Sequence, residues 1–163
     1  MDQLDKKIPD VMVVRIPAFR ALTSGLAPWD EVFGEFDKWM TAHQHLTKSV
    51  IFDCPDFLMG KDDKAEWIWG LKDEITEEDV KPYVVTHFNG GLYAVAVSVD
   101  GDGESHDRVR EKMSRWLEST NFIVDDSRLM MGHMIYPHED IKEGLGYHQL
   151  NLYLPIKINC ASS

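Results

Sequence analysis

The sequence predicts an α+β fold in which one strand, helix, strand, strand unit is written twice, giving an antiparallel sheet of about eight strands with two helices. Two observations carry that prediction. Apolar stripes of helical period occur twice and close on Trp39-Met40 and Trp116-Leu117, the tryptophans lying 116 minus 39, or 77, residues apart. Each stripe is followed by two β-rich runs, the first of which ends on a proline, and Pro55 and Pro137 lie 137 minus 55, or 82, residues apart. So small a drift fits two half-domains with unequal loops and not a solenoid, which needs several short repeats. A single domain spanning residues 1–163 follows, with halves at about 10–78 and 79–158, and a chain of that length buries roughly 70% of its unfolded surface.

Val11-Met-Val-Val-Arg-Ile16 opens the first copy as a strand. Pro28-Trp-Asp-Glu then starts a helix, because proline suits the first helical position and acids in the first turn complement the dipole. Trp29, Val32, Phe33, Phe36, Trp39 and Met40 recur at three- and four-residue steps, one stripe for one core. A strand ending Ile51-Phe-Asp-Cys-Pro55 and a last strand Glu66-Trp-Ile-Trp-Gly-Leu71 complete the half, with Lys61-Asp-Asp-Lys64 as a charged hairpin tip. In the second copy Tyr83–Phe88 and Gly91–Val97 read as strands, and Gly90-Gly91 between them as a hairpin turn. Asp102-Gly-Glu-Ser-His-Asp leads into a helix whose stripe is Val109, Met113, Trp116 and Leu117. A strand ending Met134-Ile-Tyr-Pro137 and a last strand Leu150-Asn-Leu-Tyr-Leu-Pro155 follow, with Gly101-Asp-Gly103 and Glu143-Gly-Leu-Gly146 as loops.

Composition narrows the function classes. The net charge is −11, with Asp and Glu spread through loops and helix faces, a field that repels nucleic acid and favours cationic partners. No basic footprint for DNA binding is present. No apolar run approaches the ~20 residues that cross a bilayer, and Met1-Asp-Gln-Leu-Asp-Lys-Lys is not followed by a signal-peptide core, so a cytoplasmic protein is expected. Cys54 and Cys160 make no disulfide framework. His43 and His45 do not share a helical face, and His133, His138 and His148 lack ligand spacing, so no metal is expected. Without a nucleophile elbow or a histidine beside Cys54, no catalytic residue is assigned and no cofactor is expected.

Gly90-Gly-Leu-Tyr-Ala-Val-Ala, a helix ending Trp116-Leu117, and Asn151-Leu-Tyr-Leu-Pro-Ile156 together resemble the GyrI-like family, the AraC-type effector-binding domains of multidrug-responsive bacterial transcription regulators. The likeness covers about Val11 to Ile158. It implies a stand-alone domain that binds lipophilic, often cationic, small molecules in a cleft between the halves, as a ligand sensor or a sequestration module. Two alternatives carry over from the family: a hydrolase of electrophilic small molecules in the same cleft, and a gyrase-inhibitor-like interaction module whose protein partner is unknown. Where the family commonly carries a carboxylate, this chain has Asn151, and the repeat offset of 82 places Trp69 at the equivalent position of the first half. Alternation sets Trp67 and Trp69 on one strand face, and Asn151 and Tyr153 on another. The expected cleft therefore contains Trp69, Trp67, Asn151, Tyr153 and Tyr93, the last from the Gly-Leu-Tyr motif. Asp53 and Glu66 are the candidates for the missing acid, and aromatic faces can themselves attract an ammonium by roughly 0.5–2 kcal/mol each.

Overall fold

The computed structural model describes residues 10–50, 56–61, 63–134 and 139–160. Strands β1 (Met12–Ile16), β2 (Phe19–Thr23) and the short β3 (Ala27–Pro28) precede a helical arm made of α1 (Trp29–Glu31), a π-helical turn (Val32–Phe36) and α2 (Asp37–His43). The hairpin β4 (Asp56–Lys61) and β5 (Lys64–Gly70) closes the first half. Then come β6 (Val85–Phe88), β7 (Gly91–Val99), α3 (Gly103–Glu118), β8 (Phe122–Val124), β9 (Met131–Met134), α4 (Glu139–Leu145) and β10 (Gln149–Ile158). The fold is α+β and its sheet is antiparallel, as expected. The segment with Glu143-Gly-Leu, expected as loop, is helical, and the chain turns only at Gly146, whose φ is +81°. Its N–H donates to Lys142 O at 2.7 Å, closing the helix, and the positive φ suits glycine. The expected strand ends Ile51–Pro55 and Ile135–Pro137 lie outside the described residues; β4 starts at Asp56 and β9 ends at Met134.

Strand order is β1-β7-β10-β9-β4-β5-β2-β6, and every pairing within it is antiparallel. The pairing of β1 with β7 and of β2 with β6 shares one unbroken register: Met12↔Val95, Ile16↔Gly91, Phe19↔Phe88 and Leu22↔Val85 all add to the same total. β1 and β2 are thus one long strand bent at Pro17-Ala18, and β6 and β7 another bent at Asn89-Gly90. Because β2 also pairs with β5 and β7 with β10, this ladder closes the sheet into a ring. Gly90-Gly91 is consequently a bend between collinear strands and not the expected hairpin turn. The two β-rich runs pair with the other long strand instead of with each other.

The bend has strict demands. Gly90 has φ +70°, and a Cβ there would run into the Ile16 carbonyl oxygen and lie 2.7 Å from Pro17 C. Arg128 fastens the bend: Nη1 donates to Gly90 O at 3.2 Å, and Nη2 donates to Leu92 O and Ile156 O at 3.0 Å each. Its guanidinium also stacks over Tyr93, 4.6 Å from the ring centre, and Nε donates to Asp125 Oδ2 at 2.8 Å. The Ser127 hydroxyl and Arg128 together hold the Asp125 carboxyl down to about 2.

Three cores follow from strand alternation. Ile16, Phe19, Phe57, Met59, Ile68, Tyr93, Val95, Met131 and Tyr153 fill the inner face of the ring. On the outer face the helical arm covers Leu22, Trp69 and Leu71 through Phe36 and Met40, and α3 covers Ala94, Ala96, Leu152 and Ile156 through Met113. α3 is capped by Asp102, whose carboxylate accepts from Ser105 N at 3.0 Å.

Gly90→Ala should lower stability by about 2 kcal/mol or more, since a strained φ and a collision with backbone act together; an unchanged urea midpoint would show the bend to be tolerant. A second expectation concerns His133, which is 1% exposed on the inner face and whose pKa burial lowers to about 4. The unfolded chain takes up this proton near pH 6.5 and the folded chain does not, so stability is full above that pH and is lost as pH falls towards 4. His133→Phe should flatten the dependence of melting temperature on pH between those limits; an unaltered slope would assign it to other groups.

Candidate functional site

The inter-half seam is where β4 meets β9, with Leu58 opposite Gly132 and Met59 opposite Met131. On its helix-bearing face lies a cavity of about 690 Å³ bounded by the helical arm on one side and the start of α3 on the other. Gly60 and Gly132 project no side chain here, which keeps the floor low; a Cβ on Gly60 would touch the Trp29 ring at 3.6 Å. Leu58, Leu150, Leu152 and Met130 supply aliphatic walls.

The aromatic wall comes from the helical arm and β5. Trp29 and Phe33 stack with ring centres 5.7 Å apart, and Phe33 meets Trp67 at 5.2 Å. Both residues were expected in the core stripe of the first helix. They are instead 41% and 46% exposed, while Val32, Phe36 and Met40 take the buried positions at four-residue steps. The π-helical turn explains the difference: its turn is wider than 3.6 residues, so the buried face advances by fours and leaves the preceding pair beside it.

Asp56 is the acid of this cavity. It opens β4 opposite Trp69, on the same face as Leu58 and Trp67, and its Oδ2 accepts from Trp67 Nε1 at 2.8 Å. Burial pushes its carboxyl above the usual range, and the Trp67 hydrogen bond works against that rise. A partly desolvated carboxylate among indole and phenyl faces is an environment in which a cation regains what burial removes.

The residues expected in one cleft are divided by the sheet. Trp67 lines the cavity, whereas Trp69 is buried between sheet and helical arm with Leu22, Phe36 and Met40. Asn151, Tyr153 and Tyr93 point to the inner face. The repeat offset of 82 is the source of the error: Trp69 and Asn151 face opposite sides, and a one-residue slip in register exchanges the faces of a strand. Asn151 is 4% exposed, and its Oδ1 has no hydrogen-bond partner among the described residues. Glu66 accepts from Thr23 Oγ1 at 2.6 Å and, with Tyr93 and Arg128, lines a second hollow of about 530 Å³ on the inner side. Asp53 lies outside the described residues. Trp29, Phe33, Asp56, His106 and Arg110 line the cavity without being expected there from the sequence. Asp56 carried a signal, being the first residue after Pro55 in a β-rich segment.

The sequence matches no family model and no curated protein. The fold does match solved structures. The structure of SAV2435 bound to tetraphenylphosphonium aligns over 91% of this chain and 94% of that one, at 9% identity and a TM-score of 0.58. The EcmrR C-terminal domain aligns over 91% and 97%, at 9% identity and 0.64. A hydrolase from Listeria innocua aligns over 95% and 96%, at 14% identity and 0.65. The first two are GyrI-like effector-binding domains, and this chain has their fold.

Trp67→Phe deletes the hydrogen bond that restrains Asp56. The Asp56 carboxyl pKa, followed through its 13C chemical shift, should move further up; a fall or no change would mean that the indole does not govern this acid.

Proposed function

We propose that this protein binds lipophilic, singly charged cations in the cavity at the seam, as a ligand-sensing or sequestering module. The observation that carries the reading is Asp56, a carboxylate with a raised pKa set beside Trp67 in a cavity walled by Trp29 and Phe33. A cation seated there gains Coulomb attraction from the acid and quadrupole attraction from the ring faces, the latter about 0.5–2 kcal/mol per ring. Hydrophobic contact with Leu58, Met130, Leu150 and Leu152 accounts for the lipophilic requirement. A cavity of about 690 Å³ has the size of a site for a drug-sized molecule. A protein of the same fold is described bound to tetraphenylphosphonium, which supports this ligand class. The net charge of −11 adds a surrounding field of the same preference.

Tetraphenylphosphonium and tetraphenylborate have nearly the same shape and opposite charge. Calorimetric titration should give micromolar binding of the cation, about −8 kcal/mol, and at least tenfold weaker binding of the anion. Asp56→Asn should weaken the cation about tenfold and narrow the gap. Cation affinity of the native protein should also fall as pH drops through the raised Asp56 pKa, because only the ionised carboxylate attracts the ligand. Equal affinity for both ions would leave plain hydrophobic capture.

A further inference from the structure

The cavity carries a second charged wall. Across from the helical arm, the first turns of α3 present His106 and Arg110, one helical turn apart and both lining the cavity. His106 Nε2 is 2.8 Å from Val99 O; a carbonyl only accepts, so this nitrogen donates, and the bond fixes the ring against the wall. Arg110 follows it one turn on, beside Val109 of the stripe that packs on the sheet, and its exposed side chain lines the cavity. Its Nη1 meets Asp107 at 3.1 Å, but those side chains are 56% and 78% exposed, and so open a pair contributes little and yields to a competing anion. Asp100, exposed on the same rim, opposes an incoming anion.

Resting on the reading of Asp56 as the cation subsite, we propose that Arg110 forms a second subsite for an anionic end group, so that the ligand is a lipophilic zwitterion. Its cationic head sits at Asp56 and its aromatic or aliphatic body lies against Trp29, Phe33 and Leu150. Its carboxylate, sulfonate or phosphate end meets the Arg110 guanidinium, whose planar fork suits such oxygens. The proposal runs against the net field of the protein: a charge of −11 favours a ligand without the anionic end, and only a local cation reverses that order.

The test compares trimethylammonio-undecanoate with its methyl ester, which share head and chain and differ in the charge of the far end. Both are titrated calorimetrically at neutral pH into the native protein, Arg110→Met and Arg110→Lys. The zwitterion should bind the native protein about threefold more tightly than the ester, the scale of an open ion pair. Arg110→Met should reverse that order without weakening the ester, and Arg110→Lys should retain part of the preference. If the ester binds and the zwitterion binds equally or more weakly, the anionic subsite is wrong and the cation site stands. If the preference survives Arg110→Met, another group holds the anion and the assignment falls. If neither compound binds, both readings fall together.

Discussion

The continuous register between the two bent strands, β1–β2 and β6–β7, is the constraint on which the rest of the structure depends. It joins the two ends of an otherwise linear order of strands and so gives the sheet an inside and an outside. The inside is packed with aromatic and aliphatic side chains, and the outside carries the helices. A bend in a continuous ladder leaves carbonyls that neither neighbouring strand can reach, and buried carbonyls need partners. Arg128 meets two of them, on Gly90 and Leu92, together with the Ile156 carbonyl of β10, and is itself neutralised by Asp125 and covered by Tyr93. The local chemistry of one arginine and one glycine therefore sets the global curvature.

That curvature decides what the seam can become. β4 and β9 meet edge to edge with two glycines facing outward, and the helices stand apart on either side of them. The resulting hollow is mostly apolar, which makes any charge inside it consequential. Asp56 is costly to ionise there, and a single indole N–H offsets only part of that cost. Beyond the cavity mouth, the acidic surface acts over roughly 8 Å at physiological salt, so it assists encounter more than it holds a bound molecule.

Much of the fold was legible because its signals are local. The stripes of α2 and α3, the alternation of β5 and β10 and the charged hairpin tip are written in neighbouring residues. Which strand Gly90-Gly91 would serve was not, because a hairpin turn and a bend in a long strand both call for a glycine with positive φ. The site was less legible still. Counting from proline to proline gave an even offset between halves, and the faces of Trp69 and Asn151 require an odd one. The exposed pair Trp29 and Phe33 was hidden by a helix that departs from its ordinary period for one turn. Asp56 belongs to the cavity through pairing with residues far along the chain, which spacing alone does not encode.

The ladder has a further consequence for how such a chain is assembled. β1 belongs by sequence to the first half yet pairs with β7 of the second, and β6 belongs to the second yet pairs with β2 of the first. Each half lends the other a strand. Neither is a complete unit, so cutting the chain between them would leave two fragments with bare strand edges, prone to aggregation unless they recombine. The two parts of the chain are thus interlocked and not two modules side by side.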